Sequence, residues 1–338
     1  MQGREQARLS CWQNVGYKKL AKTQVWPKVS VAVITYNQAK FLRECIESIL
    51  AQDYPNLEIV VADDASADGT REMLRQYERQ YPGLFKLILA EARGGIAVNA
   101  NRALSACTGE YIALTAGDDL MLPGRIRKQV LALEQNKHLA LCSTAVDVFD
   151  SETNKTITIG YSIGKGVCEY GPREVVRSAS RVYASSVMVR RSMCPKRGFE
   201  TRIPIGAEWL FWVETLINGR AIALDDVLSR YRHHGANISL LDPEGIASDA
   251  YTTMQILEHE YPFLIREVIE ARAKLNFSRG VQYLVRGDYK AAADLFKGSF
   301  LYKKRVKTFA WIFILSLPNK IRNYLVRWWL RKTGAEPA

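Results

Sequence analysis

Apolar runs and amphipathic stretches alternate along the first part of the chain. Residues 29–35 and 57–62 are mainly apolar, as expected of strands that are covered on both faces. Between them, residues 38–52 repeat apolar side chains at the spacing of one helix face. Helices are further predicted at 70–80 and 96–107, and strands at 85–89 and 111–115. This alternation is typical of an α/β fold with a mostly parallel sheet and helices on its faces.

The pattern becomes less regular after Pro123. A helix is predicted to about residue 135, and strands follow near 139–148, 156–159 and 182–189. From residue 246 onward the pattern is helical, and 283–300 reads as a helix, a Gly-Asp turn and a second helix. We therefore divide the chain into an N-terminal extension at 1–27, an α/β domain at 28–240, a helical appendage at 241–301 and a basic aromatic tail at 302–338.

Targeting signals and cysteines indicate where the protein works. Residues 1–24 lack the apolar stretch of a signal peptide, and the longest apolar segment, 309–317, is too short to span a bilayer. The six cysteines lie far apart without a C-x-x-C pair, which predicts free thiols and no zinc site. These features favour a cytoplasmic protein.

The positive charge of the chain is concentrated in its tail. The net charge is +12, and nine Lys and Arg residues with no acidic residue lie between 303 and 332. Trp and Phe cluster there in apolar blocks, which favours peripheral contact with an anionic membrane at the inner face of the cytoplasmic membrane. Nucleic acid is the competing polyanion, but a base-stacking surface would interleave single aromatics with charges, so we expect no nucleic acid. Packing of the apolar blocks on the α/β domain is the structural alternative.

Three polar clusters follow the predicted strands. They are Thr35-Tyr36-Asn37, the run DDASADGT at 63–70, and Gly117-Asp118-Asp119. The carboxyl ends of parallel strands meet at one edge of a sheet, so these clusters are expected to converge on one rim. Adjacent carboxylates raise each other's pKa unless a positive group offsets them, and a hard cation such as Mg²⁺ or Mn²⁺ would do so. Each cluster alone could instead be a turn or a helix cap.

The motifs and their order resemble family 2 glycosyltransferases. The resemblance covers about 28–239 and includes VSVAVITYN, DDASADGT, GGIAVNANRAL, GEYIALTAGDD, Gly198-Phe199-Glu200 and YRHHGANIS. It implies a GT-A fold, with a Rossmann-like, mostly parallel sheet, followed here by a C-terminal helical appendage. It also implies inverting, metal-assisted transfer of a hexosyl-type sugar from a nucleotide-sugar donor to a hydroxyl of a glycan or lipid-linked acceptor. Such acceptors occur in bacterial surface polysaccharides, including lipopolysaccharide.

The resemblance also implies roles for individual residues. The catalytic base falls on Glu208, which precedes Trp209 on a predicted helix. The metal ligands, for Mn²⁺ or Mg²⁺, fall on Asp119 and His234. The nucleotide-binding positions fall on Thr35, Tyr36, Asn37, Asp64, Asn101 and Asp118.

The sequence departs from the family pattern at three places. Ala116 replaces the first acid of the D-x-D region, Ala100 stands where many relatives have Arg, and Glu208 is a lone acid that could simply favour a helix start. These departures leave open a catalytically degenerate relative that binds a nucleotide sugar or a partner protein. A nucleotidyltransferase is disfavoured, because the loop TYNQAKF after the first strand lacks the Gly-rich, basic character of that class.

Overall fold

The computed structural model describes residues 26–164, 166, 169–178, 182–304 and 306–333. Most of the predicted N-terminal extension, Cys11, Cys168 and Arg305 therefore lie outside the described residues. The chain forms two compact units, one within 1–175 and 180–249 and the other within 176–179 and 250–338. The first unit extends to Asp249, which accepts hydrogen bonds from the backbone of Ile205 and Gly206, whereas the sequence places a domain boundary near 240. The appendage and tail predicted as separate segments belong to one unit.

The first unit is built on a mixed sheet. Among the described residues the strand order is β3-β2-β1-β4-β9-β6-β10-β5, with β7 beside β6 and β8 beside β10. The pairs β3-β2, β2-β1, β1-β4 and β6-β10 are parallel, and the others are antiparallel. The strands are β1 Val29–Thr35, β2 Leu57–Asp63, β3 Phe85–Leu89, β4 Tyr111–Ala116, β5 Leu120–Met121, β6 Leu139–Asp150, β7 Thr156–Gly160, β8 Glu169–Tyr170, β9 Val187–Arg190 and β10 Arg220–His233.

Helices cover the sheet and continue to the end of the described chain. They are α1 Ala39–Leu50, α2 Thr70–Gln80, α3 Ile96–Ala106, α4 Arg125–Leu133, α5 Pro172–Ser178, α6 Glu208–Thr215, α7 Ile238–Leu241, α8 Pro243–Glu260, α9 Ile265–Val285, α10 Tyr289–Tyr302, α11 Val306–Ser316 and α12 Asn319–Thr333. The predicted apolar face of α1 is buried at Leu42, Cys45, Ile46 and Ile49 against the core strands. The expected mixed α/β fold with a largely parallel central sheet is therefore confirmed.

The strand order places a topological switch point between β1 and β4. From β1 the chain proceeds to β2 and β3 on one side of the sheet, and then returns to β4 on the other side. Ligands of open α/β sheets bind at the carboxyl ends of the strands at such a point. Thr35 ends β1 and Ala116 ends β4 there, so the predicted polar clusters begin where a ligand crevice is expected.

Strand β10 is missing from the sequence-based prediction. Asp225 and Asp226 interrupt its apolar pattern, and the pairing with β6 shifts register between Leu224 and Val227. A bulge of this kind lets two charged residues lie in a long strand without entering the core. The predicted strand 182–189 is also shorter, because Ala184–Ser186 forms a 3₁₀ turn before β9.

The second unit is helical, as predicted. Asp288 is the second residue of the predicted Gly-Asp turn. It accepts a 3.0 Å hydrogen bond from the backbone N–H of Ala291 and so caps the start of α10. Its core joins Leu284, Phe296 and Trp311 with residues of α12, and the rings of Phe296 and Trp311 stack with centroids 5.9 Å apart. None of the described helices combines the length and apolarity that crossing a bilayer requires.

Candidate active site

The loops after β1 and β2 are bound to each other. Asn37 donates its backbone N–H to the hydroxyl of Ser66 (2.8 Å), and its side-chain oxygen accepts the N–H of Ala67 (2.9 Å). Asp68 accepts the N–H of Ala39 (2.9 Å). Asn37 has a φ of 50°, a left-handed conformation that Asn tolerates better than most residues. The side chain predicted to bind nucleotide thus also fixes the loop in which it lies.

Asp64 connects β2 to the loop before α3. Its carboxylate accepts N–H bonds from Gly94 (2.7 Å) and Gly95 (2.8 Å) and pairs with Arg102 at 2.8 Å. These bonds hold the glycine pair at the start of α3 beside the end of β2. Nucleotide binding by Asp64 remains a prediction, and it would use lone pairs that these donors leave free.

An aromatic ring and a guanidinium group stack in front of these loops. The guanidinium of Arg93 lies 4.3 Å from the ring centroid of Tyr36, and both residues are exposed. A flat, partly cationic surface of this kind suits a planar base. Sequence reasoning identified Tyr36 but not Arg93, which carries no motif signal of its own.

The acid pair after β4 is held from β10. Asp119 accepts the backbone N–H of Arg232 (2.9 Å) and the hydroxyl of Ser185. Its side chain was expected on an open rim, but Asp119 is 1% exposed. Burial, together with the neighbouring charge of Asp118, raises the pKa of Asp119 well above its ordinary value. A second negative charge at this place is therefore costly without a cation.

Arg232 is a positive group that the chain supplies beside the acid pair, and it was not among the residues predicted from the sequence. Its guanidinium donates to the carbonyl of Asp118 (2.8 Å) and to Glu44 (2.7 Å). It also lies between aromatic rings, 4.9 Å from the centroid of Phe41 and 4.8 Å from that of Phe149. Arg232 lies in the motif YRHHGANIS, from which only His234 was predicted to be a site residue.

His234 faces Asp118 across the same crevice. Its Nε2 lies 3.1 Å from a carboxylate oxygen of Asp118, and its Nδ1 accepts the N–H of Ala236 (3.2 Å). An acceptor at Nδ1 puts the proton of the neutral ring on Nε2, so His234 acts as a donor toward Asp118 or a ligand oxygen. The predicted metal ligation by His234 stays a prediction, and it would require the Ala236 hydrogen bond to break.

Phe41 and Gly117 join the two halves of the crevice. The ring of Phe41 lies 4.6 Å from that of His234, and Gly117 donates its N–H to the carbonyl of Ile34 (2.9 Å). A Cβ at Gly117 would lie 2.7 Å from Gln38 Oε1 and 2.9 Å from Thr35 Oγ1, so this approach requires glycine. The polar ends of β1, β2 and β4 therefore converge, as the sequence predicted.

The residues present fit a divalent cation that takes one or two ligands from the chain and the others from water and a bound phosphate group. Among the described residues, no three His, Cys, Asp or Glu side chains are grouped so as to hold a metal. Mg²⁺ and Mn²⁺ commonly take one or two carboxylates and complete their shell with water and phosphate oxygens. The raised pKa of Asp119 means that its charged form is disfavoured, and a cation bound beside it would lower that cost.

Glu208 lies at the start of α6 and is half-buried. Burial, together with the smaller effect of the negative charge of Asp249, raises the pKa of Glu208 from its ordinary value of 4.5 to about 7. An acid that only stabilised a helix N-terminus would keep a pKa at or below its ordinary value, because the helix dipole favours its charged form. A carboxyl group with a pKa near neutrality is suited to accept a proton from a hydroxyl group.

Asn101 and Ala97 of α3 form hydrogen bonds with the segment that leads to Glu208 at the start of α6. The side-chain amide of Asn101 donates to the carbonyl of Phe199 (2.8 Å) and accepts the N–H of the same residue (2.7 Å). Ala97, in the first turn of α3, donates its N–H to the carbonyl of Pro204 (3.4 Å). Asn101 thus positions the Gly198-Phe199 turn, while nucleotide binding by Asn101 remains a prediction.

Comparison with known protein families and sequences agrees with this geometry. Residues 30–198 match the family model "Glycosyl transferase family 2". The putative glycosyltransferase EpsE of Bacillus subtilis is 45% identical over 124 residues, which is 37% of this chain and 45% of EpsE. The chain spans less than two thirds of the length of the first curated relatives that it matches, 45% of EpsE and 62% of a mycobacterial protein.

Solved structures share the fold at low sequence identity. TarS 1–349 of Staphylococcus aureus in complex with UDP-GlcNAc superimposes with a TM-score of 0.61 and 18% identity, covering 89% of this chain and 87% of TarS. The mannosyltransferase PcManGT of Pyrobaculum calidifontis, in complex with GDP-Man and Mn²⁺, has a TM-score of 0.56 and 21% identity over 89% of this chain and 83% of its own. Since the family model matches half of the sequence, including all three strand-end clusters, the chain belongs to glycosyl transferase family 2.

Proposed function

We propose that the protein transfers a hexosyl-type sugar from a nucleoside diphosphate to a hydroxyl group of a glycan or lipid-linked acceptor, with inversion. The observation that carries the proposal is the pairing of a buried acid pair at the β1-β4 switch point with a carboxyl group of raised pKa at Glu208. The first site suits the diphosphate of a donor and the second suits an acceptor hydroxyl.

The donor would bind along the carboxyl ends of β1, β2 and β4. The stacked pair of Tyr36 and Arg93 offers a surface for the base. Asp64 and Thr35 face the nucleoside side, and the hydroxyl of Thr35 is buried without a hydrogen-bond partner among the described residues. Asp118 and His234 would contact ribose or diphosphate oxygens. UDP-GlcNAc and GDP-Man, the ligands of the similar structures, support a nucleotide sugar as the donor.

The cation would be held by Asp119, with Asp118 beside it. Its chemistry is to neutralise negative charge on the departing diphosphate. Arg232 contributes a fixed positive charge next to the same carboxylates and keeps Asp118 in place through its carbonyl. The Mn²⁺ in the mannosyltransferase complex supports this part of the proposal.

Glu208 would act as the base. Its carboxylate accepts the proton of the acceptor hydroxyl while the hydroxyl oxygen forms a bond to the anomeric carbon. The bond from that carbon to the diphosphate breaks, and the nucleoside diphosphate leaves with the electron pair. Attack opposite the leaving group inverts the anomeric centre.

Donor binding and hydrolysis test the proposal directly. With Mn²⁺, the purified protein is expected to bind UDP-GlcNAc or GDP-mannose saturably and to release nucleoside diphosphate slowly, with water in place of the acceptor. Calorimetry measures the binding, and a coupled assay for the released nucleotide measures the turnover. Metal-dependent binding without turnover, also in the presence of membrane extract as acceptor, would identify the degenerate nucleotide-sugar-binding relative. A folded protein that binds no donor would exclude both.

We further propose peripheral attachment to the cytoplasmic face of an anionic membrane through α11 and α12. Each helix is apolar on two sides. One side packs in the second unit, where Trp311 is only 8% exposed. The other side carries what we call the exposed stripes, which follow i, i+3, i+7 spacing on both helices. They consist of Val306, Phe309 and Phe313 on α11, and of Ile321, Tyr324 and Trp328 on α12, all of them exposed.

Basic residues accompany the exposed stripes. Lys320, Arg322 and Arg327 lie on α12 among the apolar positions, and Lys332 lies 5.1 Å from the ring centroid of Trp328. Each such charge near an anionic surface contributes about 1 kcal/mol, and salt weakens this contribution. Aromatic side chains that are surrounded by Lys and Arg suit the interface between membrane and water, where a lipid-linked acceptor would be found.

Substitution of the exposed stripes tests the attachment. A variant with Phe309, Phe313 and Trp328 replaced by Ser is expected to bind phosphatidylglycerol-containing vesicles at least about tenfold more weakly, because large apolar groups no longer enter the interface. Vesicle sedimentation across a salt series measures the effect. Deleting 302–338 would be less informative, since it also removes the core residues Trp311 and Leu330.

The control for this experiment is Ile157→Ser, which removes an apolar side chain that is 54% exposed on β7 of the first unit. It is expected to leave vesicle binding unchanged. The membrane proposal fails if the triple variant melts like the wild type and binds the vesicles equally well. It also fails if the wild-type protein does not bind the vesicles but binds single-stranded RNA in a salt-sensitive manner.

A further inference from the structure

The loop that leads into α6 is anchored by one carboxylate from α8. Asp249 accepts the backbone N–H groups of Ile205 (2.7 Å) and Gly206 (2.9 Å), and the same oxygen, Oδ2, accepts both bonds. Asp249 is buried, and Glu208 follows Gly206 by one intervening residue. The backbone that carries Glu208 is therefore fixed at its start by a buried negative charge.

The second anchor of this loop comes from α3. The carbonyl of Pro204 accepts the N–H of Ala97, and the carbonyl of Gly206 accepts the N–H of Trp209 in the first turn of α6. Trp209 is buried, and its ring N–H donates to the carbonyl of Val175 (3.1 Å). These contacts leave the loop little freedom to move Glu208 relative to Asp249.

Burial of Asp249 without a charged partner would be unusual for a purely structural residue. No described Lys, Arg or His forms an ion pair with it, and two backbone amides are its hydrogen-bond donors. An asparagine could accept the same two bonds through its single carbonyl oxygen without the cost of a buried charge. The negative charge itself is therefore the feature that needs a function.

We propose that Asp249 is a positioning residue for the base Glu208, which it places at the entrance of α6 and supplies with a fixed negative charge. The inference rests on the proposed function, because it gives Glu208 the role of the base. Asp249 does not contact the reacting groups. It acts by holding the loop that carries Glu208 and by its negative charge, which adds to the effect of burial on the proton affinity of the base.

Other charged residues near this segment are paired with one another. Glu200 accepts hydrogen bonds from Arg202 at 3.0 and 2.9 Å, and Glu214 of α6 lies 3.2 Å from Arg197. The charge that acts on Glu208 is that of Asp249, and it adds to the larger effect of burial in raising the pKa of Glu208 to about 7. Removing Asp249 should therefore lower, but not abolish, the raised pKa.

The test compares Asp249→Asn with Asp249→Ala. The asparagine variant keeps an acceptor for both backbone amides and loses only the charge. Its pH profile for donor hydrolysis with UDP-GlcNAc or GDP-mannose and Mn²⁺ is expected to shift toward lower pH, with a similar maximal rate and donor KM. The alanine variant loses both hydrogen bonds, so its maximal rate is expected to fall by tenfold or more while donor KM changes little.

A measurement without substrate separates this inference from the proposed function. Because Glu208 holds its proton more tightly in the folded state, its contribution to the free energy of unfolding is lost as pH rises from its ordinary pKa of 4.5 to about 7. Urea unfolding of the wild type and Glu208→Gln at pH 5 and pH 8 isolates that contribution. The contribution of Glu208 to the free energy of unfolding should become smaller in the Asp249→Asn background.

The outcomes are distinct. If donor hydrolysis is absent in every protein but the unfolding contribution shrinks in Asp249→Asn, the charge coupling stands and the proposed transferase function fails. If hydrolysis depends on Glu208 but the Asp249→Asn profile and unfolding data superimpose on those of the wild type, the inference is overturned. Loss of the loop contacts alone would then explain any defect of Asp249→Ala.

Discussion

Asp119→Asn is expected to abolish Mn²⁺-dependent donor binding and to lower donor hydrolysis by roughly 10²- to 10³-fold, the scale of a lost metal contact at a departing phosphate. The asparagine retains an oxygen for the N–H of Arg232 and an amide that can bond to the hydroxyl of Ser185. The local structure should therefore persist while the ligand charge disappears. Calorimetry with and without Mn²⁺, followed by hydrolysis assays, measures both effects.

The same substitution has an opposite effect on stability. The pKa of Asp119 is raised in the folded protein, so its contribution to the free energy of unfolding is lost as pH rises through that raised value. Asp119→Asn should therefore unfold at higher urea concentration than the wild type at pH 7 to 8, and the difference should vanish in acid.

The control for Asp119→Asn is Asp226→Asn. Asp226 is exposed on β10 and pairs at 2.5 Å with Lys128. A surface pair contributes little, so this variant should keep Mn²⁺-dependent binding and the wild-type unfolding curve. Wild-type turnover of Asp119→Asn, or turnover that a chelator does not affect, would contradict the metal mechanism.

Local periodicity was sufficient to predict the part of the fold on which the proposed donor site lies. The strands β1, β2, β3 and β4 and the helices between them follow a regular alternation, and each buries its own apolar face. The expected convergence of their carboxyl ends follows from parallel pairing alone. For this reason the positions of Thr35, Asp64 and Asp118 could be foreseen without a structure.

Long-range pairing limited the prediction of the remainder. Strand β10 pairs with β6, which lies far away along the chain, and its acidic bulge disguises the strand. The contacts of Arg232 with Asp118 and Glu44 depend on that pairing. No local pattern indicates that a charged side chain near the end of an unrecognised strand will be buried between two aromatic rings.

The hydrogen-bond partners of individual site side chains could not be predicted from the sequence either. Asn37, Asp64 and Asn101 were assigned to nucleotide binding by resemblance, yet each bonds to the backbone of another loop. The pKa of Glu208 depends on burial and on Asp249 from a different helix. Such properties arise from the folded arrangement, and a motif cannot convey them.

Glu208→Gln is expected to leave donor binding within a few-fold of the wild type and to lower turnover by about 10²-fold or more, the usual effect of losing a general base. Glutamine keeps the size of the side chain but has no basic carboxylate. Because the pKa of Glu208 is raised to about 7, wild-type turnover should rise with pH through that value as the carboxylate forms. The variant should lack this rise, so the difference between the two proteins is largest above pH 7.

Matched variants decide whether Glu208 itself is responsible for the rise of turnover through pH 7. Asp225 and Asp226 carry two alternative carboxylates, but both are exposed on β10, where Asp225 accepts the N–H of Gly166 at 3.1 Å. Asp225→Asn and Asp226→Asn are therefore expected to retain turnover and its rise through pH 7. If either of them loses the rise while Glu208→Gln keeps it, the base lies on β10 and Glu208 is only the first acid of its helix.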